Sequence, residues 1–151
     1  MTKQSSLRVL TWQVIGLILV VALAPIVTGA EFYVDPQNGK PGNDGSKDRP
    51  WVSLQELFDK GLIETQTWES LPYKPGVKLL RKNAGAPVRP GDTIWLRTGN
   101  YGRLMIQAYY NGAFITIAAQ EGHTPRFESI HIQSGSHWVL KGLHVSPEYG
   151  D

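Results

Sequence analysis

Residues that could do chemistry fall into three groups. The densest is Asp35, Asn38, Asn43 and Asp44, four oxygen-bearing side chains within one glycine-rich stretch. Hard oxygens that close together suit Ca²⁺, so these four are the candidate metal ligands. They lack the alternating spacing and terminal bidentate glutamate of an EF-hand, and Asp and Asn are also what tight turns require. The second group is aromatic: Trp95, Tyr101, Tyr109 and Tyr110. Flat, amphipathic rings of this kind stack on sugar rings. Trp95, Tyr109 and Tyr110, with the neighbouring Arg97, are the candidate carbohydrate-binding residues. The third group is His123, His131, His137 and His144. No two of them have the four-residue separation of a helical zinc pair, and they are read as solvent-facing. Lys141 with His144 could supply a base on an outer face, but proton abstraction next to a carboxylate also needs a cation or arginine clamp. No catalytic residue is assigned.

Short elements must position these groups. Glu31 to Val34 reads as a strand, and the stretch from Asp35 to Pro50 is almost all turn formers, among them Asn38-Gly39 and Asn43-Asp44-Gly45. Ser53 stands three residues before Glu56, the spacing of a capping box. Leu54, Leu57 and Phe58 then share one helical face, with Gly61 as the left-handed stop. The pattern predicts a helix over residues 54–60. Leu62 to Pro90 contains Pro72, Pro75, Pro87 and Pro90 and is expected to be a packed insertion. Lys78, Arg81 and Lys82 within it read as a solvated loop.

After Pro90, short apolar runs recur: Ile94–Leu96, Leu104–Ile106, Phe114–Ile117, Ile130–Ile132 and Trp138–Val145. Alternation places Ile94, Leu96, Ile115, Ile117, Ile130 and Ile132 inward, and Trp95, Arg97, Thr116 and His131 outward. Ile94 and Ile115 are 21 residues apart, Met105 and Ile130 are 25, and Ile115 and Val139 are 24. A recurrence of that length predicts stacked solenoid coils, with Trp95 beside Thr116 and a corner at Gly142.

The first thirty residues have a different character. Lys3 and Arg8 precede an apolar core from Val14 to Val27, and Thr28-Gly29-Ala30 follows. That order predicts a signal peptide over residues 1–30 and a secreted domain over 31–151. The core is shorter than the roughly 20 apolar residues of a spanning helix, so no stable membrane insertion is expected after cleavage. Removing Lys3 and Arg8 from the 15 basic residues leaves 13, against 13 acidic. A neutral chain with scattered charge carries no footprint for nucleic acid. With no cysteine, disulfides are excluded and packing alone must hold the domain.

The motifs FYVDPQNGKPGNDGSKDRPWVSLQEL, GDTIWLRTGNYG, ITIAAQEGHTPRF and HWVLKGLHVS, in that order, resemble the N-terminal part of bacterial right-handed parallel β-helix proteins of the pectin-lyase-like superfamily. The resemblance covers Glu31 to Val145. It implies an all-β solenoid with an N-terminal capping helix, truncated at the C-terminus. It also implies an extracellular or periplasmic protein acting on or binding polysaccharide, polysaccharide lyase-like, with Ca²⁺ as the conceivable cofactor. The alternatives are a non-catalytic surface or carbohydrate-binding solenoid, and a truncated product with no independent activity. The matched motifs are structural, so no catalytic residue carries over.

Overall fold

Strand β1 (Glu31–Val34) begins the described chain's first sheet. The structure, a computed structural model, describes residues 28–150. The apolar leader core and Asp151 lie outside the described residues. After the turn-rich loop comes α1 (Leu54–Asp59), then β2 (Thr65–Trp68), β3 (Leu79–Lys82), β4 (Thr93–Leu96), β5 (Gly99–Asn100), β6 (Arg103–Ala119), β7 (Pro125–Phe127), β8 (Ser129–Lys141) and β9 (His144–Val145). The larger sheet runs β1-β4-β6-β2-β3, with β8 on β6; the smaller runs β5-β7-β9.

Helix α1 forms for the reasons its sequence gives. Ser53 is its N-cap, accepting from the Glu56 amide at 3.4 Å. The reciprocal half of the box is not made, because the Glu56 carboxylate turns to Lys60 one turn on. The C-terminus closes as a full Schellman motif. The Leu62 amide donates to the Leu57 carbonyl at 2.8 Å, the Gly61 amide to Phe58 at 3.2 Å, and Gly61 is left-handed at φ 65°. Leu54, Leu57 and Phe58 are buried in one core with Val34, Ile63, Val88, Ile94, Leu96, Leu104, Ile106, Ile115, Ile117 and Phe127.

The expected insertion does pack down, as an antiparallel hairpin. β2 pairs β3 from Thr65↔Lys82 to Trp68↔Leu79, and β2 joins β6 antiparallel at Gln66↔Tyr110. Ile63 and Val88, bridged to each other at its base, are fully buried.

This topology corrects the expected right-handed parallel β-helix of the pectin-lyase-like superfamily. What forms is a small mixed α/β domain with two unclosed sheets and one short helix. Neighbours among β1, β4, β6 and β8 do run parallel, but parallel pairing alone does not make a solenoid. Solenoid coils repeat one supersecondary unit, each stacking on the next. Here an antiparallel hairpin enters the larger sheet. The smaller sheet has strands of only two or three residues, and neither sheet curls round to close.

The register also departs from the expectation. Ile94 pairs with Ile117, not Ile115; Trp95 pairs with Ala118 rather than standing beside Thr116; Ile130 pairs with Leu104 and Ile115 with Trp138. The two runs Leu104–Ile106 and Phe114–Ile117 belong to one bent strand, β6, whose register against β8 shifts after Ile106, after Gln107 and again after Tyr110. The bend carries Ala108 at φ 57°, and β8 turns with His137 at φ 58°. A left-handed non-glycine residue costs roughly 1–2 kcal/mol. The Ala108 amide is met by Ser134 Oγ at 2.8 Å. Gly142, also left-handed, separates β8 from β9 as the sequence predicts.

Candidate functional site

The four candidate metal ligands sit in one loop, with their polar atoms turned to the loop itself. Asp35, buried at the end of β1, accepts from the amides of Gln37 (2.9 Å) and Asn38 (3.0 Å), from Asn38 Nδ2 (3.1 Å) and from Arg97 Nη1 (3.3 Å). Burial by itself would raise its pKa. The hydrogen bonds from Asn38, Gln37 and Arg97 outweigh that and hold it below the ordinary carboxylate value. Asn43 Nδ2 donates to the Pro50 carbonyl, and Asp44 accepts from the Ser46 amide and Arg49. A cation on Asp35 would have to displace Arg97. Among the described residues no group of three or more His, Cys, Asp or Glu is arranged to hold a metal.

Arg97, just beyond β4, ties this loop down. Besides Asp35 it reaches the Lys47 carbonyl (2.7 Å) and Gln120 Oε1 (3.2 Å), and its guanidinium lies over the Tyr33 ring. Trp95 is half-buried beside Tyr33 in a shallow cleft with Glu31, Gln120 and Glu121. Tyr109 is buried, its hydroxyl donating to the Phe58 carbonyl at 2.8 Å, and Tyr110 packs on Trp68. The four candidate carbohydrate-binding residues therefore do not form one platform. Trp95 and Arg97 share the Tyr33 surface, while Tyr109 and Tyr110 point to opposite faces of β6. Tyr101 stacks on Phe127, its hydroxyl within 3.0 Å of the Val34 and Arg97 carbonyls, and burial raises its pKa.

The histidines are dispersed. His123 Nδ1 accepts from the Thr98 amide at 3.0 Å, His137 lies against Phe114, and His131 and His144 are exposed. Lys141 ends β8 in the larger sheet, and His144 opens β9 in the smaller one.

Two features emerge that residue types alone do not indicate. The first is a cleft of about 460 Å³ between α1, β3 and β6, lined by Gln55, Phe58, Lys60, Lys82, Asn83 and Tyr109, among others. The Lys82 ammonium projects into it, 3.7 Å from the centroid of the Tyr109 ring, and donates to the Ala108 carbonyl at 3.0 Å. Burial lowers the Lys82 pKa; the Tyr109 pKa is raised chiefly by burial. Lys82 is thus part of a cleft wall, not of the solvated loop its neighbours suggest.

The second feature is the outer side of β8 and β9. Among the described residues β8 pairs only β6, and β9 pairs only β7. Ile106 is fully buried, but its partner on β8, Ile132, is 42% exposed; Ile117 is fully buried and its partner Leu140 is 37% exposed. In the smaller sheet, buried Phe127 pairs with Val145, which is 52% exposed. The core is covered at one layer and open at the next.

No family model, no curated protein and no solved structure matches the chain. The polysaccharide partner and the lyase-like or carbohydrate-binding function rested on the solenoid resemblance. Both are corrected with it: two unclosed sheets present no solenoid face.

Proposed function

We propose that this domain is an interaction module that receives an extended segment of a partner protein along β8 and β9. One observation carries the reading: side chains on these strands that continue the buried rows of β6 and β7 stand open to solvent, beside a strand edge that nothing pairs among the described residues. An exposed edge is a template for another strand. Main-chain hydrogen bonds then give affinity, and alternate side chains give specificity. Ile132, Leu140 and Val145 call for apolar residues at alternate positions of the incoming strand. The stretch from Ser129 to Pro147 contains no carboxylate, one lysine (Lys141) and three histidines, so acidic residues between the apolar ones complement it.

A nine-residue peptide alternating valine and glutamate tests this by fluorescence anisotropy and hydrogen exchange. It should bind at least about tenfold tighter than its valine–lysine counterpart and protect a run of amides within residues 130–145. Replacing Leu140 and Val145 together by glutamate should abolish binding with the circular dichroism spectrum unchanged, because both side chains are already exposed. Equal binding of the two peptides would overturn the reading. So would sedimentation showing that the edge is closed by a second copy that the peptide does not displace.

Export is proposed on the leader alone. Mass spectrometry of exported protein should show Glu31 as the first residue, and a chain retaining Met1 would refute it. Among the described residues no helix is long and apolar enough to cross a membrane.

A further inference from the structure

We propose that the cleft between α1, β3 and β6 binds a small organic carboxylate, with Lys82 as its charge partner. Arg49, Lys60, Arg81, Arg97 and Arg103 each face a carboxylate, whereas among the described residues Lys82, half-buried in this cleft, faces a carbonyl and the Tyr109 ring. An ammonium has three protons to donate, and the Ala108 carbonyl takes one. A partly desolvated cation without an anion is costly, and a bound carboxylate would relieve that cost.

The rest of the lining fits such a ligand. Asn83 and Gln107 bring amides to the same wall, while Phe58, Met105 and Tyr109 supply apolar surface for its organic part. The acid on the rim, Asp59, is turned to Gln55 Nε2 at 2.9 Å, and Lys60 is held by Glu56. Neither competes for Lys82. The Tyr109 hydroxyl is engaged with the Phe58 carbonyl, which fixes the ring beneath the ammonium. Because the cleft lies against α1 and the proposed strand-accepting edge is on β8 and β9, the two sites stand or fall separately.

Benzoate is the probe and benzamide its neutral counterpart, titrated into the full chain and followed by amide chemical shifts. For a ligand this small, a dissociation constant on the order of millimolar is expected. The shifts should centre on Lys82, Asn83 and Tyr109, with benzamide at least about tenfold weaker, the loss of a charge-assisted bond. Lys82→Met should remove the preference for benzoate, and Lys82→Arg should restore most of it. The comparison of the two ligands on the unsubstituted chain needs no variant, so it decides the matter even if Lys82→Met fails to fold. Equal shifts from benzoate and benzamide, benzoate shifts centred elsewhere, or undiminished binding by a folded Lys82→Met would overturn the proposal.

Discussion

Leu57→Asp is expected to leave the domain largely unfolded at room temperature. Leu57 is fully buried, as is its neighbour on the helical face, Leu54, and α1 packs on β6. Deleting a buried leucine side chain costs about 2–5 kcal/mol, and placing a carboxylate in an apolar site without a partner adds further cost. A domain of this size has roughly 5–15 kcal/mol in total. The milder Leu57→Ala should fold but melt well below the parent, by about 10 °C or more at the usual few degrees per kcal/mol. Lys60→Ala, which removes only an exposed contact on the same helix, should hardly move the melting temperature. A short helix depends on tertiary packing for its stability, so the contrast between Leu57 and Lys60 separates packing from helix propensity. If Leu57→Asp melts like the parent, α1 is not a structural part of the core.

That helix was legible in the chain because its signals are local. Ser53, the apolar triplet and Gly61 define start, face and stop within nine residues, and each is found in its expected role. Strand registers were less legible for an equally physical reason. Ile115 and Ile117 both point inward, and a period-two pattern distinguishes faces but not a shift of two residues; Ile94 could be assigned to either, and it pairs with Ile117. Sidedness says still less about how a sheet ends. The same alternating apolar rows occur in closed coils and in open sheets, so the solenoid expectation failed at the level of closure. The apolar runs are strands, but Leu104–Ile106 and Phe114–Ile117 merge into β6, and Ile130–Ile132 and the start of Trp138–Val145 merge into β8. Ile132, expected inward, is exposed.

The site residues show the same limit. Leu104 and Ile106 are buried and Met105 is exposed, so simple alternation along β6 would turn Tyr110 inward and Tyr109 outward. The structure has Tyr109 and Asn111 buried instead. The phase flips at Ala108, whose left-handed backbone has no signature in a residue type that ordinarily avoids that region. Lys82 was missed because its neighbourhood looks like a basic, proline-bounded loop. Only the pairing of β3 with β2 turns it toward α1.

Asp35→Ala is the second substitution expected to be severe, and its pH dependence identifies the cause. The carboxylate gathers two amides, the Asn38 side chain and Arg97. Alanine would take this acceptor from the two amides and from Asn38 Nδ2, and would leave the largely buried Arg97 guanidinium without its carboxylate. Breaking a buried pair on one side costs about 3–5 kcal/mol, so the melting temperature should fall by roughly 10 °C or more. Because the folded-state pKa lies below the unfolded one, the stabilisation is complete above the unfolded value of about 3.9. It is lost as pH falls through the lower folded value. The parent should therefore lose stability on acidification below about pH 4, and Asp35→Asn, which cannot titrate, should lose less over that window while being less stable at neutral pH. Urea denaturation of parent and variant between pH 2 and 7 measures both. An Asp35→Asn curve parallel to the parent's through the acid limb would show that other carboxylates govern acid unfolding. An Asp35→Ala midpoint unchanged at pH 7 would show that the loop is held without Asp35, leaving Arg97 with its bonds to Lys47 and Gln120 as the tie that suffices.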